Sequence, residues 1–136
     1  MNINIINQNI GEKMAVIIDC RKDIEIFTVI KNFYDVLHPL FWTFRFYCGK
    51  DTLLFWKDIF ENANISIQLF ELSVSSLNYK EHSNLVKNKD FLLSLNAKWL
   101  LTFNTHSWIL NPSFFNPDFF INCQYSFVGA SINNDW

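Results

Sequence analysis

The stretch 14–37, MAVIIDCRKDIEIFTVIKNFYDVL, decides the fold class. It opens on Met14-Ala15-Val16-Ile17-Ile18-Asp19, a short apolar run without alternation, the form of a strand covered on both faces. Cys20-Arg21-Lys22 breaks the run. Behind it Ile26, Ile30, Phe33 and Leu37 recur at the spacing of one helix face, and Pro39 ends the pattern.

The same alternation of strand and helix continues outward. Phe41 to Cys48 sets Trp42, Phe44 and Phe46 against Thr43, Arg45 and Tyr47, which is period two and predicts a strand. Gly49 and Asp51 mark a turn, and Leu53, Trp56 and Phe60 then share a helical face. Asn64 to Leu72 predicts a third strand with Ile65, Ile67 and Leu69 on one side. After a polar loop, Tyr79 to Leu95 predicts a helix broken near Asn88, with Leu85, Leu92 and Leu95 inward. Lys98 to Phe103 reads as a buried strand that ends in the polar cluster Asn104-Thr105-His106-Ser107. Asn111-Pro112 and Asn116-Pro117 bracket turns, Phe119 to Asn122 is a short irregular or helical piece, and Tyr125 to Val128 is a final strand before Gly129. This order is that of right-handed crossovers around a mostly parallel sheet, an α/β three-layer Rossmann-like sandwich over residues 14–136. Residues 1–13 read as a lead-in or a short edge strand.

Composition narrows the functional classes. The chain of 136 residues is half apolar and 18% charged, which is globular rather than disordered. A net charge of −2 and a pI near 5.8 argue against a general electrostatic nucleic-acid binder. Fifteen Phe, fifteen Ile and seventeen Asn stand beside three Gly, three Pro and four Ala, a bias that resembles translation of an AT-rich genome such as those of some parasites and large DNA viruses. The glycine-rich dinucleotide fingerprint is missing after the first strand, where Asp19-Cys20-Arg21-Lys22 stands, and the Walker A, G-x-S-x-G and zinc-helix patterns are missing as well. No apolar stretch reaches the roughly 18 residues of a membrane span, and residues 1–10 lack the basic start of a secretory signal. Cys20, Cys48 and Cys123 show no metal spacing and read as small buried thiols of a reducing, cytoplasmic setting. The sequon Asn64-Ile65-Ser66 falls inside a predicted strand and reads as fortuitous.

In an open α/β sheet, ligands bind beyond the carboxyl ends of the strands. Those ends are 19–22, 48–51, 71–73, 104–107 and 129–131. The fourth is the most polar, offering an amide, hydroxyls and an imidazole to one ligand. The bland readings are a histidine satisfied by a neighbouring carbonyl at His106 and a solvated loop charge at Arg21.

Two of these ends carry a resemblance. Phe103-Asn104-Thr105-His106-Ser107 after its strand, then Tyr125-Ser126-Phe127-Val128-Gly129-Ala130 and Trp136, are similar to a family of uncharacterised glycosyltransferase-like proteins whose strand-end pattern is F-Q-T-D-S, followed by Y-[DS]-[YF]-[IV]-G-A-P-W. The resemblance extends over residues 14–136, through the first strand, the helix containing Asn32, Phe41-Trp42, Tyr79 and Lys89-Asp90-Phe91. It implies a nucleotide-sugar-binding domain of the GT-A type that transfers a sugar from a nucleoside diphosphate to an acceptor. It also implies a divalent cation, Mn²⁺ or Mg²⁺, to balance the leaving diphosphate. By correspondence Arg21, Asn104, Thr105, Ser107 and Gly129 would bind the substrate, and His106 stands where the family has its metal-holding Asp. An imidazole suits Mn²⁺ better than Mg²⁺ and removes a negative charge, so a direct contact between His106 and the diphosphate is a metal-free alternative. The family's glycine-rich acceptor-side segment is not found after Ala130, which implies a C-terminally truncated, weak or inactive relative.

The competing expectation is a non-catalytic interaction module that self-associates through an uncovered apolar face, with Phe114-Phe115, Phe119-Phe120 and Trp136 as candidate surface. The blander reading, that these five pack in the local core, is the favoured one. A flavodoxin-like regulator is a third reading, with no acidic phosphorylation pocket beyond Asp19.

Overall fold

The computed structural model describes residues 13–111, 113 and 116–122. The element order is β1 (Lys13–Asp19), α1 (Ile24–Leu37), a short 3-10 turn (His38–Leu40), β2 (Thr43–Cys48), α2 (Leu53–Asn62), β3 (Gln68–Glu71), α3 (Tyr79–Lys87), α4 (Lys89–Ser94), β4 (Trp99–Thr102) and α5 (Asp118–Asn122). The four strands form one sheet in the order β3-β2-β1-β4, and every neighbouring pair is parallel.

The sheet is covered on both sides, as the apolar run of β1 requires. Ala15 and Ile17 of β1, with Phe44, Phe46 and Cys48 of β2, pack against Ile26, Val29, Ile30 and Phe33 of α1 and Trp56 and Phe60 of α2. Met14, Val16 and Ile18, with Tyr47, face the other way, onto Leu85 and Val86 of α3 and Phe91 and Leu92 of α4. Crossovers of one hand explain the division. Moving from β1 to β3 places α1 and α2 on one face, and turning back past β1 to reach β4 places α3 and α4 on the other. The molecule is an α/β sandwich of three layers in a Rossmann-like arrangement.

Local chemistry sets the helix boundaries. Asp23 caps α1 by accepting from the Glu25 N–H at 2.9 Å. Asn78 and Glu81 form a reciprocal capping box on α3. The break expected near Asn88 is there: Asn88 closes α3 with extended backbone and caps α4 by accepting from the Phe91 N–H at 2.9 Å. At α2 the Thr52 hydroxyl turns away to the Gly49 carbonyl at 2.6 Å, and Glu71 Oε1 accepts from the Leu53 N–H at 3.2 Å instead.

Several expectations need correction. The first strand includes Lys13, because its backbone pairs with Trp99. The second strand starts at Thr43 rather than Phe41: Phe41 takes the left-handed conformation (φ 68°) that closes the 3-10 turn. The third spans only Gln68–Glu71, since Asn64 is left-handed (φ 56°) and carries the chain out of α2 before pairing begins. The sequon asparagine is therefore exposed on a loop, not inside a strand. The fourth strand is half-buried, not buried, because among the described residues no strand pairs with its outer edge. The final strand expected at 125–128, together with Gly129 and Trp136, lies outside the described residues.

Candidate functional site

The strand order fixes where a site can form. From β1 the chain moves outward through β2 and β3, then returns to β4 on the opposite side of β1. The carboxyl ends of β1 and β4 therefore meet where the strand order reverses, the position at which an open α/β sheet takes its ligand in the crevice between loops. Arg21 stands on the first of these loops and Thr105 on the second.

The β1 loop is built around one carboxylate. Asp19 Oδ1 accepts from the Arg21 backbone N–H at 3.0 Å and from Arg21 Nε at 3.1 Å, while Oδ2 accepts from Arg21 Nη2 at 2.9 Å. The Asp19 side chain is 14% exposed and that of Arg21 is 54% exposed, so the pair roots in the sheet and the guanidinium emerges into solvent. Arg21 Nη2 also donates to Thr105 Oγ1 at 3.0 Å, crossing the crevice. Among the described residues Arg21 Nη1 has only a loose partner, Asp23 Oδ2 at 3.8 Å. Hydrogen bonding to Asp19, then its charge, holds the guanidinium proton more firmly than usual.

The β4 loop is anchored from below. Phe103 N–H reaches the Val16 carbonyl at 3.1 Å, and the Phe103 ring stacks on Phe33 of α1 at 4.3 Å. Asn32 of α1 clasps Ile109, donating through Nδ2 to its carbonyl at 3.3 Å and accepting from its N–H at 2.8 Å. Between these anchors Asn104 to Ser107 forms a tight turn. Asn104 Oδ1 accepts from the His106 N–H at 2.8 Å, and the Ser107 N–H reaches the Asn104 carbonyl at 2.9 Å. Ser107 Oγ accepts from the Asn104 N–H at 3.2 Å.

These contacts separate the expected site residues. Arg21 and Thr105 come together. Asn104 and Ser107 face each other across the turn and shape it, while His106 is exposed at its tip. Gly129 lies outside the described residues. The sequence reading missed two positions, Asp19 as the orienting carboxylate and Asp23 as its weaker competitor for Arg21. The Asp-x-Arg-x-Asp spacing at the end of an apolar strand is the signal that could have found them.

Asp19, the carboxylate at the end of the central strand, is not free to hold a divalent cation. A cation at a diphosphate site is held through one or two protein carboxylates, with waters and the phosphates completing its oxygen shell. Asp19 already accepts three N–H groups, the Asn104 amide oxygen is engaged within its turn, and among the described residues no three His, Cys, Asp or Glu side chains converge.

On the neighbouring loop Gly49 touches the backbone of Cys20, where a Cβ would come within 2.9 Å of the Cys20 Cα. Burial is the main cause that pushes the Cys20 thiol up, with the Asp19 charge next, and burial does the same at Cys48. Both cysteines are buried and unpaired, as expected for small core thiols, and Cys123 lies outside the described residues. Among the described residues no helix is long and apolar enough to cross a membrane.

Compared with models of known protein families, with curated proteins and with solved structures, the chain finds no match in any of the three.

Proposed function

We propose that the domain is glycosyltransferase-like and binds a nucleotide-sugar at the crevice between the β1 and β4 loops. The observation that carries this reading is the Arg21–Thr105 hydrogen bond, which places a half-exposed guanidinium at the point where an open α/β sheet accommodates its ligand. A planar fork of N–H donors is suited to phosphate oxygens. The likeness of Phe103-Asn104-Thr105-His106-Ser107 to the family's strand-end pattern adds the sugar nucleotide as the ligand class. Turnover is weak or absent in this reading, because His106 stands in place of a carboxylate.

The test is calorimetric titration of the chain with a panel of nucleoside diphosphate sugars, each with and without Mn²⁺. Heat with at least one sugar nucleotide supports the proposal, and none with any at millimolar ligand overturns it.

A second reading, an interaction module, is favoured by Trp108 and Leu110, which are 51% and 89% exposed on the segment after the 104–107 turn. A monomer on gel filtration at all concentrations would count against self-association through that segment.

A further inference from the structure

Resting on that proposal, we infer that the crevice binds its phosphorylated ligand without a divalent cation, with the Arg21 guanidinium as the counter-charge, and that Asp23 competes with the ligand for Arg21.

The inference follows from how each group around the crevice is occupied. A cation bridging a diphosphate to the protein needs oxygen atoms with free lone pairs. The carboxylate at the end of the central strand, Asp19, receives the Arg21 backbone N–H, Nε and Nη2 between 2.9 and 3.1 Å. Taking Asp19 for a metal would release those donors and bring two cations together. The Asn104 oxygen holds the 104–107 turn closed through the His106 N–H at 2.8 Å. What faces outward is therefore the Arg21 guanidinium with a single loosely placed carboxylate, Asp23, beside it, rather than a set of ligands for a cation.

The guanidinium itself is not equally engaged on all sides. Nε and Nη2 are fixed by Asp19 and Thr105, which orients the plane across the crevice. Among the described residues Nη1 meets only Asp23, 3.8 Å away, a charge contact beyond hydrogen-bond distance. A phosphate oxygen arriving at Nη1 gains a charge-assisted hydrogen bond and displaces no shorter one. Asp23, whose side chain is 42% exposed, repels the same ligand by its charge while capping α1.

This arrangement gives opposite signs to a cation-dependent and a cation-free site. Asn caps helices as well as Asp does, so Asp23→Asn removes the competing charge and leaves the α1 cap in place. The experiment is calorimetric titration of UDP and GDP into the full chain, in EDTA and again in MnCl2. The expected result is binding of equal affinity in the two buffers, strengthened in Asp23→Asn and weakened about tenfold or more in Arg21→Gln. Arg21→Lys, which keeps the charge but loses the fork, should fall between.

Binding that appears only with Mn²⁺, that weakens in Asp23→Asn, or that is unchanged in Arg21→Gln overturns the cation-free inference while leaving a nucleotide-binding domain standing. Absence of heat in both buffers, with the nucleotide-sugars silent as well, overturns the proposed function and this inference with it.

Discussion

Arg21 Nη2 donates to Thr105 Oγ1 across 3.0 Å, joining loops that lie 84 residues apart in the chain. The bond spans the place where, among the described strands, the winding direction reverses. Its energetic weight is small, because the Arg21 side chain is more than half exposed and solvent screens it. A double-mutant cycle with Arg21→Gln and Thr105→Val should give a coupling below about 1 kcal/mol in chemical denaturation. A coupling of several kcal/mol would mean that the bridge holds the fold together rather than presenting the guanidinium.

At the opposite end of the sheet, a carboxylate of α5 is shared between two donors. Asp118 accepts from Lys13 Nζ at 3.0 and 3.2 Å and from Trp42 Nε1 at 3.2 Å, and Lys13 Nζ also donates to the Leu40 carbonyl at 2.6 Å. Asp118→Ala would leave the largely buried ammonium and indole N–H without their shared acceptor, at a cost of about 1–3 kcal/mol. The midpoint of urea unfolding measures it, and Asp118→Asn should recover part of the loss through the indole bond.

Gly49 is required by proximity rather than by its backbone angles. Any Cβ there meets the Cys20 backbone, which cannot swing aside as a side chain could. Gly49→Ala should destabilise the fold by about 1–3 kcal/mol, the usual range for overpacking. An unchanged melting temperature would show that the β1 and β2 loops can separate freely.

Trp56 is fully buried among Phe46, Phe55 and Phe60, and among the described residues its Nε1 has no hydrogen-bond partner. Removing an orphaned donor recovers about 1–3 kcal/mol of desolvation, which offsets the lost ring volume. Trp56→Phe should therefore stay within about 1 kcal/mol of the natural chain, whereas Trp56→Ala should cost about 3–5 kcal/mol. A severe loss in the Phe variant would point to an unseen partner for the indole N–H.

The two buried thiols make stability depend on alkaline pH. Their pKa values are raised in the fold, so the unfolded chain releases these protons first as pH rises. Their contribution is fully present below the ordinary thiol range, near pH 8.5, and is lost as pH climbs through the raised folded values. A Cys20→Ala, Cys48→Ala variant should show a flatter stability profile above that range than the natural chain. Equal slopes would remove the thiols from the account.

The sequence carried most of the layout because β1 is apolar without alternation and each helix keeps its period. Ile26, Ile30, Phe33 and Leu37 are all buried on one side of α1, and the split at Asn88 was legible from an asparagine inside a helical pattern. The third strand was overdrawn because Ile65 and Ile67 mimic alternation while packing from a loop beneath α1 and α2. The site was half legible. Polar residues after apolar strands pointed to Arg21 and Thr105, but no spacing tells that Asn104 and Ser107 bond to each other. Nor could it show that Asp19 is taken up by its neighbour two residues on. Such closures depend on turn geometry and on contacts between distant segments.

The central position of β1 has a consequence during synthesis. Its first partner, β2, begins 30 residues after the start of β1, but among the described residues its other edge is paired only by Trp99–Thr102. As the chain leaves the ribosome, Met14 to Ile18 must wait with one edge and one apolar face open until both α3–α4 and β4 have emerged. Exposed strand edges of this kind recruit other chains. The nascent protein is therefore most exposed to aggregation in the interval between completion of β3 and arrival of β4, when an early stop or a translational pause would be most damaging.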